Sequence, residues 1–71
     1  MTKKDYKAIA RTLSTVYDLS NTQDELDNLE LIINQLILTF KKDNPRFNTF
    51  KFVYAINPEI PEVLDIVLDI V

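Results

Sequence analysis

The first part of the chain repeats apolar side chains at spacings of three and four residues, which is typical of one buried helical face. This stripe consists of Tyr6, Ile9, Ala10, Leu13, Val16 and Tyr17. Thr2 can cap the start of the helix, and Asp5 stands close to the capping-box position. The polar pair Ser20-Asn21 then breaks the pattern. The spacing predicts a first helix over residues 3–19.

A second apolar stripe follows a stronger start signal. Thr22-Gln23-Asp24-Glu25 has the form of a capping box, so helix 2 should begin at Gln23. Its stripe is Leu26, Leu29, Ile33, Leu36 and Phe40, widened by Ile32 and Ile37. Lys41-Lys42 suit the negative end of the helix dipole. Asn44-Pro45 should end the helix, because a residue before proline avoids the helical region and asparagine tolerates the left-handed conformation.

The next segment fits two kinds of structure. Asn48 can cap a third helix over residues 49–56, with Phe47 packed beneath it. Such a helix would bury Phe52, Val53 or Ala55, and Ile56. The alternation of Phe50, Phe52, Tyr54 and Ile56 has period two and also suits a strand. We favour the helix and keep the strand as the alternative.

The C-terminal segment repeats one four-residue unit. Asn57 can cap a helix whose first turn accepts Pro58 and Pro61. Val63-Leu64-Asp65-Ile66 recurs as Val67-Leu68-Asp69-Ile70. As a helix the repeat stacks Asp65 on Asp69; as a strand it forms one apolar face of Leu64, Ile66, Leu68 and Ile70. We prefer the helix.

These elements together predict an all-α fold. A three-helix domain occupies residues 1–56, and a short, acidic and apolar C-terminal helix occupies residues 57–71. The alternative is an α+β fold in which residues 50–56 and 63–70 are strands.

Apolar side chains in excess of one small core indicate a protein interface. Leu31 and Leu38 point away from the main stripe of helix 2, and the predicted tail helix is apolar on most of its surface. The candidate interface residues are Leu31, Leu38, Leu64, Val67, Leu68 and Val71. They predict binding to a protein partner or to a second copy of this chain.

Composition narrows the classes of function. A chain of 71 residues forms one small domain, and this one has no cysteine, histidine or glycine. It therefore lacks the usual general base, thiol nucleophile, strong metal ligands and phosphate-binding glycine loop, so we expect no enzyme, metal or cofactor. Glu62, Asp65 and Asp69 would share one face of the tail helix, but we interpret them as solvated acids.

The N-terminus and the apolar stretches bear on location. Met1-Thr2-Lys3-Lys4-Asp5 does not resemble a signal peptide, and the apolar run from Val63 to Val71 is too short for a membrane span. We expect a cytoplasmic protein with no membrane partner.

Basic residues supply the competing hypothesis, a small nucleic-acid-binding module. Lys41, Lys42, Arg46 and Lys51 cluster around the turn between helices 2 and 3, as in a helix-turn-helix module. Lys3, Lys4, Lys7 and Arg11 form a second basic segment. The net charge of −3 and an acidic tail oppose attraction of the whole chain to nucleic acid, so this hypothesis ranks second. We interpret the aromatic run Phe47, Phe50, Phe52 and Tyr54 as core.

Two segments resemble a known group of proteins. Met1-Thr2-Lys3-Lys4-Asp5-Tyr6 with Ile9-Ala10 and Leu13, and Asp43-Asn44-Pro45-Arg46-Phe47-Asn48 with Phe52 and Ala55, are similar to small uncharacterised proteins of bacteriophages and prophages. The likeness spans roughly residues 1–56. Those proteins usually stop near a Cys-Gly pair, whereas this chain continues through Ile56-Asn57 into its tail.

The resemblance implies a phage-encoded protein in an infected or lysogenic bacterial host. It implies no particular activity, because the group has none that could be assigned to residues of this chain. The leading hypothesis is a non-enzymatic binding protein that inhibits or redirects a host or phage protein through protein-protein interaction.

Overall fold

The structure is a computed structural model that describes residues 1–66. Within these residues the chain forms four helices. They are α1 (Lys3–Leu19), α2 (Gln23–Asp43), α3 (Thr49–Ile56) and α4 (Ile60–Val63). The all-α prediction is confirmed, and residues 1–66 contain no strand.

Helix α1 begins where its capping box places it. The Thr2 hydroxyl accepts a hydrogen bond from the Asp5 backbone N–H, and the Asp5 carboxylate accepts one from the Thr2 N–H at 2.9 Å. The hydrogen bond from the Thr2 backbone N–H, followed by one with the Thr2 side chain, lowers the pKa of the Asp5 carboxyl. Ala10 and Leu13 are buried, as the stripe predicts, but Val16 is exposed, so its place in the buried stripe is wrong.

Helix α2 also begins as predicted, with one difference in its cap. The Thr22 hydroxyl accepts from the Glu25 N–H, but the Glu25 carboxylate accepts from the Asn21 N–H, one residue earlier than a capping box requires. At the other end Asn44 has φ −140° and ψ 101°, which is extended backbone. The expectation of a left-handed asparagine is wrong, and no residue in 1–66 has a positive φ. The Asn44 side chain forms the turn by accepting from the Arg46 N–H.

Helix α3 settles the ambiguous segment, and the strand alternative for residues 50–56 is wrong. Asn48 caps the helix by accepting from the Lys51 N–H. Phe52, Val53 and Ile56 are buried, a spacing that fits one helical face. Phe50, Tyr54 and Ala55 are exposed, so the interpretation of Phe50 and Tyr54 as core is wrong.

The tail helix is much shorter than predicted. The Asn57 side chain accepts from the Glu59 N–H and forms a turn, so the helix begins only at Ile60 and ends after Val63. Leu64 has extended backbone, with φ −113° and ψ 148°. A helical repeat through Ile66 is therefore wrong, and its second copy at residues 67–70 lies outside the described residues.

Side chains from every helix meet in one core. It comprises Ala10, Leu13, Leu29, Ile33, Ile37, Phe40, Phe47, Phe52, Val53, Ile56, Ile60 and Leu64. Ile60 and Leu64 belong to it, so the start of the C-terminal segment packs on the domain formed by α1 to α3. Near that contact, partial burial and then the Glu59 and Asp18 carboxylates raise the pKa of the Tyr17 hydroxyl.

Candidate functional site

A groove of about 400 Å³ runs between the first half of α1, the turn before α3, and α3 itself. We call it the basic groove. It is lined by Lys3, Tyr6, Lys7, Ala10, Asn44, Arg46, Phe47, Asn48, Lys51, Phe52 and Ala55. It is the place where the two basic segments of the sequence meet.

Four cations line the basic groove from two directions. Lys3 and Lys7 stand one turn apart on α1, while Arg46 and Lys51 come from the turn and from α3. No acidic residue is among those that line it, and within residues 1–66 none of the four cations forms a salt bridge. The groove therefore concentrates positive charge on a chain whose net charge is −3.

Packing of α1 against α3 produces this convergence. Tyr6 and Ala10 lie on the face of α1 that turns towards the core, so Lys3 and Lys7 stand at its edge. In the sequence, Lys3–Lys7 and Tyr6–Ala10 are i, i+4 pairs, so each pair lies along one side of a helix. The sequence did not indicate which surface would face them.

Aromatic rings form the floor of the groove. The Tyr6 ring centroid lies 5.0 Å from that of Phe40 and 5.0 Å from that of Phe47. Phe47 and Phe52 are buried and 5.5 Å apart, which confirms the core interpretation for these two residues. The Tyr6 hydroxyl oxygen is buried and has no hydrogen-bond partner within residues 1–66.

The predicted nucleic-acid patch is only partly assembled. Arg46 and Lys51 line the groove, as that hypothesis requires. Lys41 instead donates to the Pro45 carbonyl at 3.4 Å, and Lys42 is exposed outside the groove. Lys3 and Lys7 take the places that these two lysines were expected to fill.

The predicted protein interface is not brought together as a surface. Leu31 and Leu38 are 60% and 43% exposed, on the side of α2 away from the core, and we call them the α2 strip. Leu64 is buried, so it contributes to the core rather than to a free surface. Val67, Leu68 and Val71 lie outside the described residues.

The C-terminal segment is attached to α2 beside this strip. The Asp65 backbone N–H donates to Glu30 Oε1 at 2.7 Å, and the Asn34 side-chain amide donates to the Asp65 carbonyl at 2.9 Å. Glu30 and Asn34 are one helical turn apart, so together they bond both backbone polar groups of Asp65. These bonds fix the path of the chain after Leu64.

Within residues 1–66, the acidic residues of the C-terminal segment do not form a metal site, and the helices do not span a membrane. Glu62 and Asp65 do not share a helical face because α4 ends at Val63, and Asp69 lies outside the described residues. Among residues 1–66 no group of three acidic side chains is placed to hold a metal ion. None of the helices in that part of the chain has the length and apolarity to cross a bilayer.

Searches against protein-family models, curated protein sequences and solved structures find no match to this chain.

Proposed function

We propose that this chain is a non-enzymatic binding protein whose basic groove holds the phosphate backbone of a nucleic acid. One observation carries the proposal: Lys3, Lys7, Arg46 and Lys51 converge on a single groove without an acidic neighbour in its lining. Lysine and arginine that neutralise phosphates supply most of the affinity of proteins for nucleic acid.

The charge of the chain is unevenly placed, and only the basic groove favours a polyanionic ligand. The chain carries 11 acidic and 8 basic residues, so its far field does not attract nucleic acid. Binding then requires the local excess of charge in the groove, and the acidic surfaces elsewhere favour one orientation of the protein. Asn44 and Asn48 add side-chain amides beside the cations, and such groups donate to phosphate oxygens.

Salt dependence tests this proposal. We expect the wild-type chain to bind a fluorescent oligonucleotide at micromolar concentration in low salt. In the double variant Lys7→Ala/Arg46→Ala, the negative slope of log K against log[salt] should become less steep by about 1.4–1.8 for two lost phosphate contacts.

The matched control is Lys4→Ala/Lys42→Ala, which removes the same charge from two exposed lysines outside the groove. Its slope should stay close to that of the wild-type chain. Equal slopes in both variants would place the contact elsewhere. No binding by the wild-type chain in low salt would refute the function.

A second candidate function is protein-protein interaction through the α2 strip. The observation that favours it is the exposure of Leu31 and Leu38 in a chain with a small core. The resemblance to phage and prophage proteins supports a role in inhibiting or redirecting a host or phage protein. A second copy of the chain is an alternative partner, which would make a homodimer.

This candidate is tested in lysate from an infected or lysogenic host treated with nuclease. Leu31→Ser/Leu38→Ser should lose a protein that the wild-type chain captures. Val16→Ser/Leu19→Ser, which alters two exposed side chains on α1, should retain it. Sedimentation velocity identifies a homodimer by concentration-dependent association that the α2 variant lacks. Both candidate functions assign the protein to the host cytoplasm.

A further inference from the structure

Two aromatic side chains of α3 remain at the surface after the core has been filled. Phe50 and Tyr54 are 52% and 46% exposed, and their ring centroids are 4.5 Å apart with an interplanar angle of 39°. We call them the aromatic pair. Phe47 and Phe52, from the same stretch of sequence, are buried. The aromatic pair therefore contributes little to the core.

The aromatic pair adjoins the basic groove. Lys51 directly follows Phe50, Ala55 directly follows Tyr54, and both of these residues line the groove. At about 100° per residue, Lys51 lies between Tyr54 and Ala55 around α3, so the aromatic pair occupies the neighbouring face, beyond Lys51 and outside the groove lining. The exposed Lys51 therefore stands between the exposed rings and the other residues of the groove.

We infer that the ligand of this surface is single-stranded nucleic acid, whose phosphates occupy the basic groove while unpaired bases stack on the aromatic pair. The inference rests on the proposed function and makes it more specific. Proteins that bind single strands combine a positively charged groove with aromatic rings that accept base faces. A duplex supplies phosphates but keeps its base faces stacked inside the helix.

The side chains of α3 also argue against reading of a duplex. A recognition helix reads base edges in the major groove mainly through arginine, lysine, asparagine or glutamine. The exposed face of α3 carries Phe50 and Tyr54 instead, with Lys51 at its margin. Rings offer stacking surfaces but few donors and acceptors for base edges.

Fluorescence anisotropy with labelled oligonucleotides tests the inference. The probes are a single-stranded 15-mer as DNA, the same sequence as RNA, and the corresponding DNA duplex, at two salt concentrations. We expect at least one single strand to bind more tightly than the duplex. Phe50→Ala/Tyr54→Ala should weaken that binding at least about five-fold for each base that loses its stack.

Three controls separate stacking from other effects. Phe50→Leu/Tyr54→Leu keeps apolar volume and helix propensity but removes the rings, so it should weaken binding like the alanine variant. Val16→Ala/Leu19→Ala removes two exposed apolar side chains from α1 and should bind like wild type. The salt slope should not change in the aromatic variants, because the phosphate contacts remain.

The outcomes distinguish this inference from the proposed function. Equal affinity for the duplex, or unchanged single-strand affinity in both aromatic variants, overturns the inference and leaves the proposed phosphate contact standing. Failure of every oligonucleotide to bind the wild-type chain overturns both. Circular dichroism of each variant, matching wild type, shows that a loss of affinity is not a loss of fold.

Discussion

Truncation of Ile60 to alanine should destabilise the whole domain, although this residue lies in a helix of only four residues. Its side chain is fully buried, with 0% exposure, in a core shared with the other helices. Replacing a buried isoleucine by alanine removes favourable burial and leaves a cavity, at a cost of about 2–5 kcal/mol. A chain of 71 residues has a total stability of about 4–10 kcal/mol, so the loss is a large share.

The magnitude converts directly into a melting experiment. For domains of this size, 1 kcal/mol shifts Tm by about 4–8 °C, so Ile60→Ala should lower Tm by at least about 8 °C. Val63→Ala is the matched control because Val63 belongs to the same short helix but is 51% exposed. Its effect should stay within about 0.5 kcal/mol. If Ile60→Ala melts like Val63→Ala, the C-terminal segment is not part of the core and the packing described above is wrong.

Four further changes probe other features. Tyr6→Phe should leave Tm unchanged or raise it, because the buried hydroxyl has no partner in residues 1–66. If urea unfolding shows the free energy of unfolding lowered by more than about 1 kcal/mol, the hydroxyl forms a hydrogen bond after all. Thr22→Ala should cost about 1 kcal/mol through the lost α2 cap, measured by urea unfolding, without changing oligonucleotide affinity; altered affinity would contradict this separation. Asn34→Ala should cost about 0.5–1.5 kcal/mol in urea unfolding through the lost bond to the Asp65 carbonyl, and an unchanged free energy of unfolding would argue against that attachment. The lowered pKa of Asp5 means that its contribution to stability is present above about pH 4 and is lost as the pH falls through the folded-state pKa, so Asp5→Asn should flatten the decline of Tm in that acid range, whereas parallel curves would exclude the role.

Local signals predicted the first three helices because caps depend on neighbouring residues. Thr2, Thr22 and Asn48 each accept a backbone N–H three residues ahead, and each starts a helix at the predicted residue. The period-two pattern of Phe50, Phe52 and Tyr54 was ambiguous because it fits one face of a strand, yet on a helix the same residues lie on different faces. One then points to the core and two point to solvent.

The tail and the groove depend on contacts between distant residues, so the sequence predicted them less well. The repeat after Pro61 suggested a long helix, but Leu64 is buried with extended backbone, and the Asp65 backbone donates to Glu30 and accepts from Asn34. In the same way, composition identified both basic segments. Only the packing of α1 against α3 selects which of their members meet.

The three asparagine turns separate what the fold demands from what the groove demands. Asn44, Asn48 and Asn57 each use the side-chain oxygen to accept a backbone N–H, and none has a positive φ. Aspartate has the same oxygen and favours the same turns. The backbone therefore tolerates aspartate at all three positions, yet Asn44 and Asn48 line the groove, whereas Asn57 does not. Asn44 and Asn57 are both C-caps, where the helix dipole opposes a negative charge equally. A lineage that retains nucleic-acid binding should therefore accept aspartate more readily at residue 57 than at residue 44, where the charge also repels phosphate.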